Sequence, residues 1–141
     1  MLKHKVRTYS VHSPAPETAL YILSRGRNAG KPMFEPCPNC HIIYINSDEE
    51  REVYYWTFYA LWKNGFFHPH LCGSVIEMLR LCDLKTLMRH FIQPAFEKAC
   101  TMPEMTKKIK ETLQLEQNLL AQSMKVSELR EALVRKYYFT I

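Results

Sequence analysis

The end of the chain constrains the fold most, because it contains nothing that interrupts an α-helix. After Pro103, neither glycine nor proline occurs up to residue 141. The preceding Thr101-Met102-Pro103-Glu104 fits a capping box with proline near the first helical position. The pattern predicts one helix from Met102 to about Tyr137, about 50 Å long at 1.5 Å per residue. Its residues repeat at alternating steps of four and three, the spacing of a coiled-coil seam: Leu115, Leu119, Gln122, Val126, Leu129, Leu133 and Lys136.

This helix leaves one apolar face to be covered, since a helix with a single apolar stripe is not stable alone in water. We expect a second copy of the chain to cover it. The resulting homodimer forms through the apolar seam residues Leu115, Leu119, Val126, Leu129 and Leu133. Two alternatives stay open at this point. The helix could fold back over its own globular domain, or Ser127 could begin a second helix and make the segment a hairpin.

Residues 1–100 carry a different pattern, which predicts an α+β domain with a small mixed sheet, followed by the long helix of residues 101–141. A capping box at Ser47–Glu50 begins a helix that ends at Gly65, and its aromatic residues cover most of its circumference, as in a packed helix. Asp83 is expected to begin a short helix. Short apolar or alternating runs predict strands over residues 5–9, 18–24, 41–45 and, after a Gly73-Ser74 turn, 75–79, while the prolines between 32 and 38 break regular structure.

Composition limits the class of protein. With 141 residues and 47% hydrophobic residues, the chain is long enough for one domain with its own core. No apolar run reaches the length of a membrane span, and no apolar signal segment follows the first residues. The five cysteines form no regular framework, which favours free thiols in a reducing compartment. We therefore expect a soluble, cytoplasmic protein.

A basic turn at Ser24–Pro32 is the clearest candidate for a functional site. Arg25, Arg27 and Lys31 lie close together there and are interleaved with two glycines, so an anion is expected to offset their mutual repulsion. Of the net charge of +5, about +4 lies in residues 1–36, which favours a nucleic-acid partner. The turn is not a nucleotide-binding P-loop, because only three residues separate its glycines and proline follows the lysine. A solvated surface turn is the alternative.

The sequence predicts neither a metal nor a cofactor. Cys37-Pro38-Asn39-Cys40 has the spacing of a zinc-binding pair, but a structural site needs two further ligands. His68, His70 or Cys72 could supply them, so a zinc site at Cys37, Cys40, His68 and Cys72 is the alternative to free thiols.

Catalysis is not expected either. The one cluster of carboxylates, residues 48–52, is explained by the start of a helix, and no serine or cysteine has the context of a nucleophile. We therefore predict that the protein is not an enzyme.

The order of these segments resembles one half of the DNA-specificity subunit of type I restriction-modification systems, a target-recognition domain followed by a spacer helix. In that family an apolar strand leads into an SRG…GK turn, a strand and an aromatic helix, then a GS turn, a strand, a short helix with an acidic start and a proline-ended strand. The corresponding segments are Tyr21–Lys31, Ile42–Ile45, Tyr54–Trp62, Gly73-Ser74, Val75–Leu79, Asp83-Leu84 and Ile92–Pro94. The chain also resembles an uncharacterised family of small bacterial proteins, often associated with mobile elements, that carry the strings SRGRNAGKP and GSV.

The first resemblance implies a non-catalytic protein that binds double-stranded DNA. Arg25, Arg27 and Lys31 are then phosphate or base contacts, and Asn28 is an adenine reader. Secondary contacts are Lys3, Lys5 and Arg7. Because the specificity subunit has two recognition domains and this chain has one, the resemblance implies a homodimer joined through the C-terminal helix. The alternative is an adaptor or decoy that uses this helix to engage subunits of a restriction-modification or mobile-element complex.

Overall fold

The structure, a computed structural model, describes residues 2–140. Within these residues the chain forms two compact units, one that ends at Pro103 and one that begins at Glu104. The first unit contains a four-stranded sheet and three α-helices, and the second is helical. The predicted α+β class is therefore confirmed.

The sheet has the order β1-β4-β2-β3, and all three pairings between its strands are antiparallel. The expectation of a mixed sheet was therefore wrong. The sequence also missed β3, because it contains Pro32 and lies in the proline-rich segment. A proline without an N–H group fits there, since β3 is an edge strand. The strands are β1 (Val6–Thr8), β2 (Leu20–Leu23), β3 (Pro32–Met33) and β4 (Cys40–Ile43).

The helix α1 (Asp48–Lys63) begins and ends where the sequence predicts. The Ser47 side chain accepts a hydrogen bond from the Glu50 amide at 3.2 Å, and Gly65 follows the helix with a φ of +75°. Only half of the capping box forms, because the Glu50 carboxylate binds the Lys3 ammonium at 2.6 Å. The helix packs Tyr54 and Phe58 into the main core. The same core receives alternate residues of the strands: Val6, Leu20, Ile22 and Ile43.

The region after α1 differs most from the expectation. The segment 75–79 is not a strand, and its pairing is limited to single bridges at Met78. The short helix α2 (Leu81–Leu87) begins two residues before Asp83, which instead binds Arg80 at 2.7 Å within the first turn.

The proposed strand Ile92–Pro94 is also wrong, because both residues are helical. A π-helical segment, Met88–Ile92, leads directly into α3 (Gln93–Thr101). Pro94 has no N–H group to donate to the preceding helical turn, and the wider π-helical turn lies immediately before it. A helix is favoured over a strand in this segment because it places one face in the core. Leu84, Leu87, Met88 and Ile92 are all buried on that face.

The long helix α4 (Pro103–Val134) is continuous over 32 residues and ends in a π-helical turn, Arg135–Phe139. This confirms one helix and excludes a hairpin that begins at Ser127. The capping box at Thr101 does not form, because Thr101 ends α3 and its hydroxyl donates to the carbonyl oxygen of Lys98 at 2.9 Å. None of the helices within residues 2–140 combines the length and the apolar composition that a bilayer span requires.

Candidate nucleic-acid interface

The turn that joins β2 to β3, residues 24–31, forms an ordered loop that we call the basic loop. The Leu23 amide donates to the carbonyl oxygen of Lys31 at 2.9 Å, and the Gly30 amide donates to that of Leu23 at 2.8 Å. Inside the loop, the Lys31 amide donates to the carbonyl oxygen of Asn28 at 3.0 Å. These bonds hold the backbone of the basic loop in one conformation.

The underside of the basic loop is anchored in the core. Ala29 is fully buried as a member of the main hydrophobic cluster. Gly30 has a φ of +99°, and a Cβ atom at this position would lie 2.4 Å from Cδ2 of the buried Phe67. Glycine is required at residue 30 both by its backbone conformation and by the aromatic ring beside it.

The opposite side of the basic loop carries its charges. Arg25, Arg27 and Asn28 are exposed, and no side-chain carboxylate of residues 2–140 forms an ion pair with either arginine or with Lys31. Lys31 is half-buried, and its Nζ lies 5.4 Å from the centre of the Trp62 ring. The structure thus brings together the four residues that the sequence selected in this turn.

Trp62 is a feature of the site that sequence reasoning missed. The Nζ atoms of Lys31 and Lys63 lie 5.4 and 5.8 Å from the centre of its ring, so one indole contacts two ammonium groups. Lys63 thereby adds a further cation next to the basic loop. In the sequence, Lys63 is only the lysine that follows Trp62, and no local pattern predicts the contact between Trp62 and Lys31.

A second loop is bonded through its last residues to the start of the basic loop. Residues 72–78, which we call the apolar loop, are closed by two hydrogen bonds between the backbones of Cys72 and Met78, at 2.9 and 2.8 Å. The Gly26 amide donates to the carbonyl oxygen of Glu77 at 2.8 Å. One residue beyond the apolar loop, the Leu79 amide donates to the carbonyl oxygen of Ser24, also at 2.8 Å. The two loops therefore form one surface.

A buried histidine supports this junction from below. Nε2 of His41, on β4, lies 2.8 Å from the carbonyl oxygen of Leu79. Burial lowers the pKa of His41, because the charged imidazolium loses its hydration in the core. A neutral ring that donates from Nε2 fits this position, and it ties the sheet to the backbone that carries both loops.

Lys5, one of the cations near the amino terminus, lies at the opposite end of β4 from the basic loop. The Tyr44 amide donates to the carbonyl oxygen of Lys5, whereas the Ser24 amide donates to that of Asn39. Tyr44 and Asn39 are five residues apart along the extended segment that contains β4, which corresponds to about 17 Å at 3.3 Å per residue. Lys5 lies with its Nζ 5.8 Å from the Tyr44 ring centre.

Lys3 and Arg7 have different surroundings. The Lys3 ammonium is paired with Glu50, and this pairing raises the pKa of Lys3 and lowers that of Glu50. Arg7 is exposed on β1 and pairs with Ile42 in the sheet.

The alternative zinc ligands are not assembled. Within residues 2–140, no three histidine, cysteine or acidic side chains converge as a metal site would require. The Cys40 thiol donates to the carbonyl oxygen of Cys37 at 3.0 Å, and burial raises the pKa of Cys40 to about 11. The Cys72 thiol lies 3.4 Å from the carbonyl oxygen of Met78, and His68 is exposed in a separate 3₁₀ turn, His68–His70. The proposed set of Cys37, Cys40, His68 and Cys72 is therefore not a metal centre in this structure.

The seam of the second unit is open to solvent. The side chains of Leu115, Leu119, Val126, Leu129 and Leu133 are all exposed. Near the end of α4 they continue into a shallow apolar groove, which is lined by Val126, Leu129, Arg130, Leu133, Val134, Tyr137 and Tyr138.

Comparison with known proteins identifies a family but no activity. The chain matches, over residues 6–136, a family of unknown function (DUF6943). No curated protein and no solved structure matches it.

Proposed function

The chain belongs to the DUF6943 family, and we propose that it is a non-catalytic DNA-binding protein that self-associates through α4. One observation carries the proposal. Three cations lie on a rigid loop, and none of them is paired with a carboxylate of the described residues. Such a group attracts a polyanion, and duplex DNA offers phosphates at regular intervals along each strand.

The roles of the loop residues follow from their placement. Arg25 and Arg27 are exposed and present planar forks of donors, which suit phosphate oxygens or the edge of guanine. Asn28 lies between these cations and Lys31 in the sequence, so its amide is a candidate to read adenine once the phosphates are held. Lys63 adds charge beside Lys31.

The amino-terminal cations have at most a secondary role in this proposal. Arg7 and Lys5 are exposed and are assigned to weaker phosphate contacts away from the basic loop. Lys3 is left out, because Glu50 already neutralises its charge.

Salt-dependent binding to a random-sequence duplex tests the DNA proposal, with fluorescence anisotropy as the readout. If the three cations of the basic loop each hold a phosphate, the variant R25Q/R27Q/K31Q reduces the slope of log K against log salt by about three. The matched control is K85Q/R89Q/K98Q, which removes the same charge from α2, the π-helical segment and α3. An equal reduction of this slope in the two variants would show that net charge, rather than the basic loop, drives binding.

Self-association is supported by the exposed seam and by the charges beside it. With Leu119, Val126 and Leu133 at heptad position a, the flanking e and g positions hold Glu111, Glu116, Lys125 and Arg130. A parallel pair of helices would place Glu111 next to Glu116 of the other copy, and Lys125 next to Arg130. Both contacts are repulsive and each would occur twice.

An antiparallel pair removes this conflict. With Leu119 opposite Leu129 of the second copy, Glu116 lies opposite Arg130, and this attractive contact also occurs twice. One like-charged contact remains, between the two copies of Lys125 at the symmetry axis. We therefore assign an antiparallel homodimer to α4, with self-complementary charges that suit a second copy of the same chain.

The second candidate function is an adaptor or decoy in a restriction-modification or mobile-element complex. It is favoured by the same exposed seam, which could equally receive a helix of another protein. Sedimentation of the purified chain separates the two: a homodimer dissociates on dilution, whereas an adaptor is monomeric and binds little duplex at any salt concentration.

A further inference from the structure

The apolar loop exposes two side chains of a type that proteins normally bury. Val75 is 93% exposed and Ile76 is 59% exposed, at the tip of residues 72–78. Valine and isoleucine are among the residues found most often in the interior. A single exposed aliphatic residue is ordinary, but here two adjacent ones project from a loop that is bonded to a charged surface.

Their exposure is fixed by the backbone. The two hydrogen bonds between Cys72 and Met78 close the loop. Gly73 has a φ of +112°, and a Cβ atom there would lie 2.2 Å from the carbonyl oxygen of Ile76. The backbone thus crosses itself closely at the tip, where only glycine fits, so the loop holds Val75 and Ile76 in place rather than exposing them by chance.

The tip is coupled to the cations. The Gly26 amide binds the carbonyl oxygen of Glu77, one residue after Ile76, and Arg25 forms a bridge with Met78. A polyanion bound by the basic loop would therefore also lie next to the apolar tip.

We propose that the apolar loop enters the major groove of the duplex held by the basic loop, where Val75 and Ile76 contact the 5-methyl groups of thymine. This inference rests on the proposed DNA binding and specifies its substrate class, a duplex that carries pyrimidine 5-methyl groups. The major groove, about 12 Å wide, admits a two-stranded ribbon, whereas the minor groove is about half as wide. The paired arms of the loop, with a backbone separation near 5 Å plus side chains, match the wider groove.

The residue after the tip favours a groove over a lipid surface. Glu77 is exposed, and a carboxylate next to two apolar side chains opposes their immersion in hydrocarbon. In the major groove the same carboxylate is able to accept a hydrogen bond from the amino group of cytosine.

Replacement of thymine by deoxyuridine in an otherwise identical duplex tests the inference, because it removes the methyl groups without a change in charge. Wild-type affinity is expected to fall about fourfold for each methyl group contacted. The variant V75S/I76S is expected to bind both duplexes equally, at the level of wild type on the deoxyuridine duplex, with the salt slope unchanged. V11S is the matched control, since Val11 is 83% exposed in a different loop, and it should retain the wild-type preference.

The other outcomes overturn the inference in distinguishable ways. If wild type binds the two duplexes equally, or if V75S/I76S keeps the preference, the tip does not contact thymine and the proposed function stands. If wild type binds neither duplex, the proposed function fails with it. If V75S/I76S binds DNA normally but no longer sediments with phosphatidylglycerol vesicles that wild type binds, the tip is a membrane contact. The variant V75N/I76N, which also carries no methyl group and suits a turn, repeats the measurement if the serine variant does not fold.

Discussion

The main-chain amide of Gly26 donates to the carbonyl oxygen of Glu77 at 2.8 Å, and this bond joins the two loops of the candidate interface. Each loop has its own anchor. The basic loop buries Ala29 and places Gly30 against Phe67, whereas the apolar loop is followed by Leu79, which is buried and bound to His41. The surface is therefore exposed in its side chains and supported by the core through its backbone. Substitutions of the anchoring residues should therefore change stability, whereas substitutions of the exposed side chains should change binding.

Gly30→Ala should destabilise the first unit by about 2–4 kcal/mol. The added Cβ lies 2.4 Å from Phe67, which is fully buried, and the φ of +99° is unfavourable for alanine. Urea unfolding followed by circular dichroism measures the change. Gly26→Ala is the matched control, because φ is +88° there but nothing lies within 4 Å of the added atom. Its cost should be about 1–2 kcal/mol, and equal costs at the two positions would contradict the proposed contact with Phe67.

The five thiols should separate by their reactivity. Cys82 and Cys100 are exposed and should react first with a disulfide reagent at pH 8. Cys40 should react last, because burial raises its pKa to about 11 and leaves little thiolate. The variant C82S/C100S should lose the fast phase, whereas C40S should keep it. A fast reaction at Cys40 in the folded protein would contradict its burial.

Several features of the fold could be predicted from the sequence because their causes are local. The capping residue Ser47, the glycine that ends α1 and the absence of helix-breaking residues after Pro103 each act within a few positions. The basic loop was identifiable in the same way, because its charges and glycines are adjacent.

The errors arose where one local pattern fits two structures. Val75 and Ile76 have the composition of a buried strand, but in the structure they form the exposed tip of a loop that is closed by the bonds between Cys72 and Met78. Pro94 suggested the end of a strand but lies in the first turn of α3. The contact of Lys31 with Trp62 depends on how the sheet and α1 pack, which no local pattern reports.

The stability of the first unit should fall as the pH decreases from about 7 to 5. Burial lowers the pKa of His4 and of His41, so both resist protonation in the folded state, whereas in the unfolded chain they bind protons near the ordinary value of 6.5. Because the unfolded state binds more protons in this range, the free energy of unfolding decreases with decreasing pH, by at most about 1.4 kcal/mol per unit for each histidine. Loss of the Glu50–Lys3 pair adds a further decrease only below about pH 4.5, since the pKa of Glu50 is lowered.

The variant H41Q isolates one of these contributions. Its amide is able to donate to the carbonyl oxygen of Leu79 as the imidazole does, but it does not titrate. Urea unfolding of H41Q at pH 5, 6 and 7 should give a shallower dependence on pH than wild type. An unchanged dependence would mean that His41 titrates normally, contrary to its burial.

Charge reversal along α4 should determine the direction in which two copies pair. In the antiparallel arrangement, E116K and R130E each turn two attractive contacts into repulsive ones and should weaken the dimer about tenfold, while the double variant E116K/R130E restores it. A parallel dimer predicts the opposite sign, because E116K relieves the repulsion with Glu111 and R130E relieves that with Lys125. E131K is the matched control, since Glu131 occupies a heptad position on the far side of the helix from the seam. Analytical ultracentrifugation over a range of concentrations measures the dissociation constants. If the chain stays monomeric in every variant, the seam does not pair two copies and is assigned to a helix of another protein. This result would not bear on the DNA contacts of the basic loop.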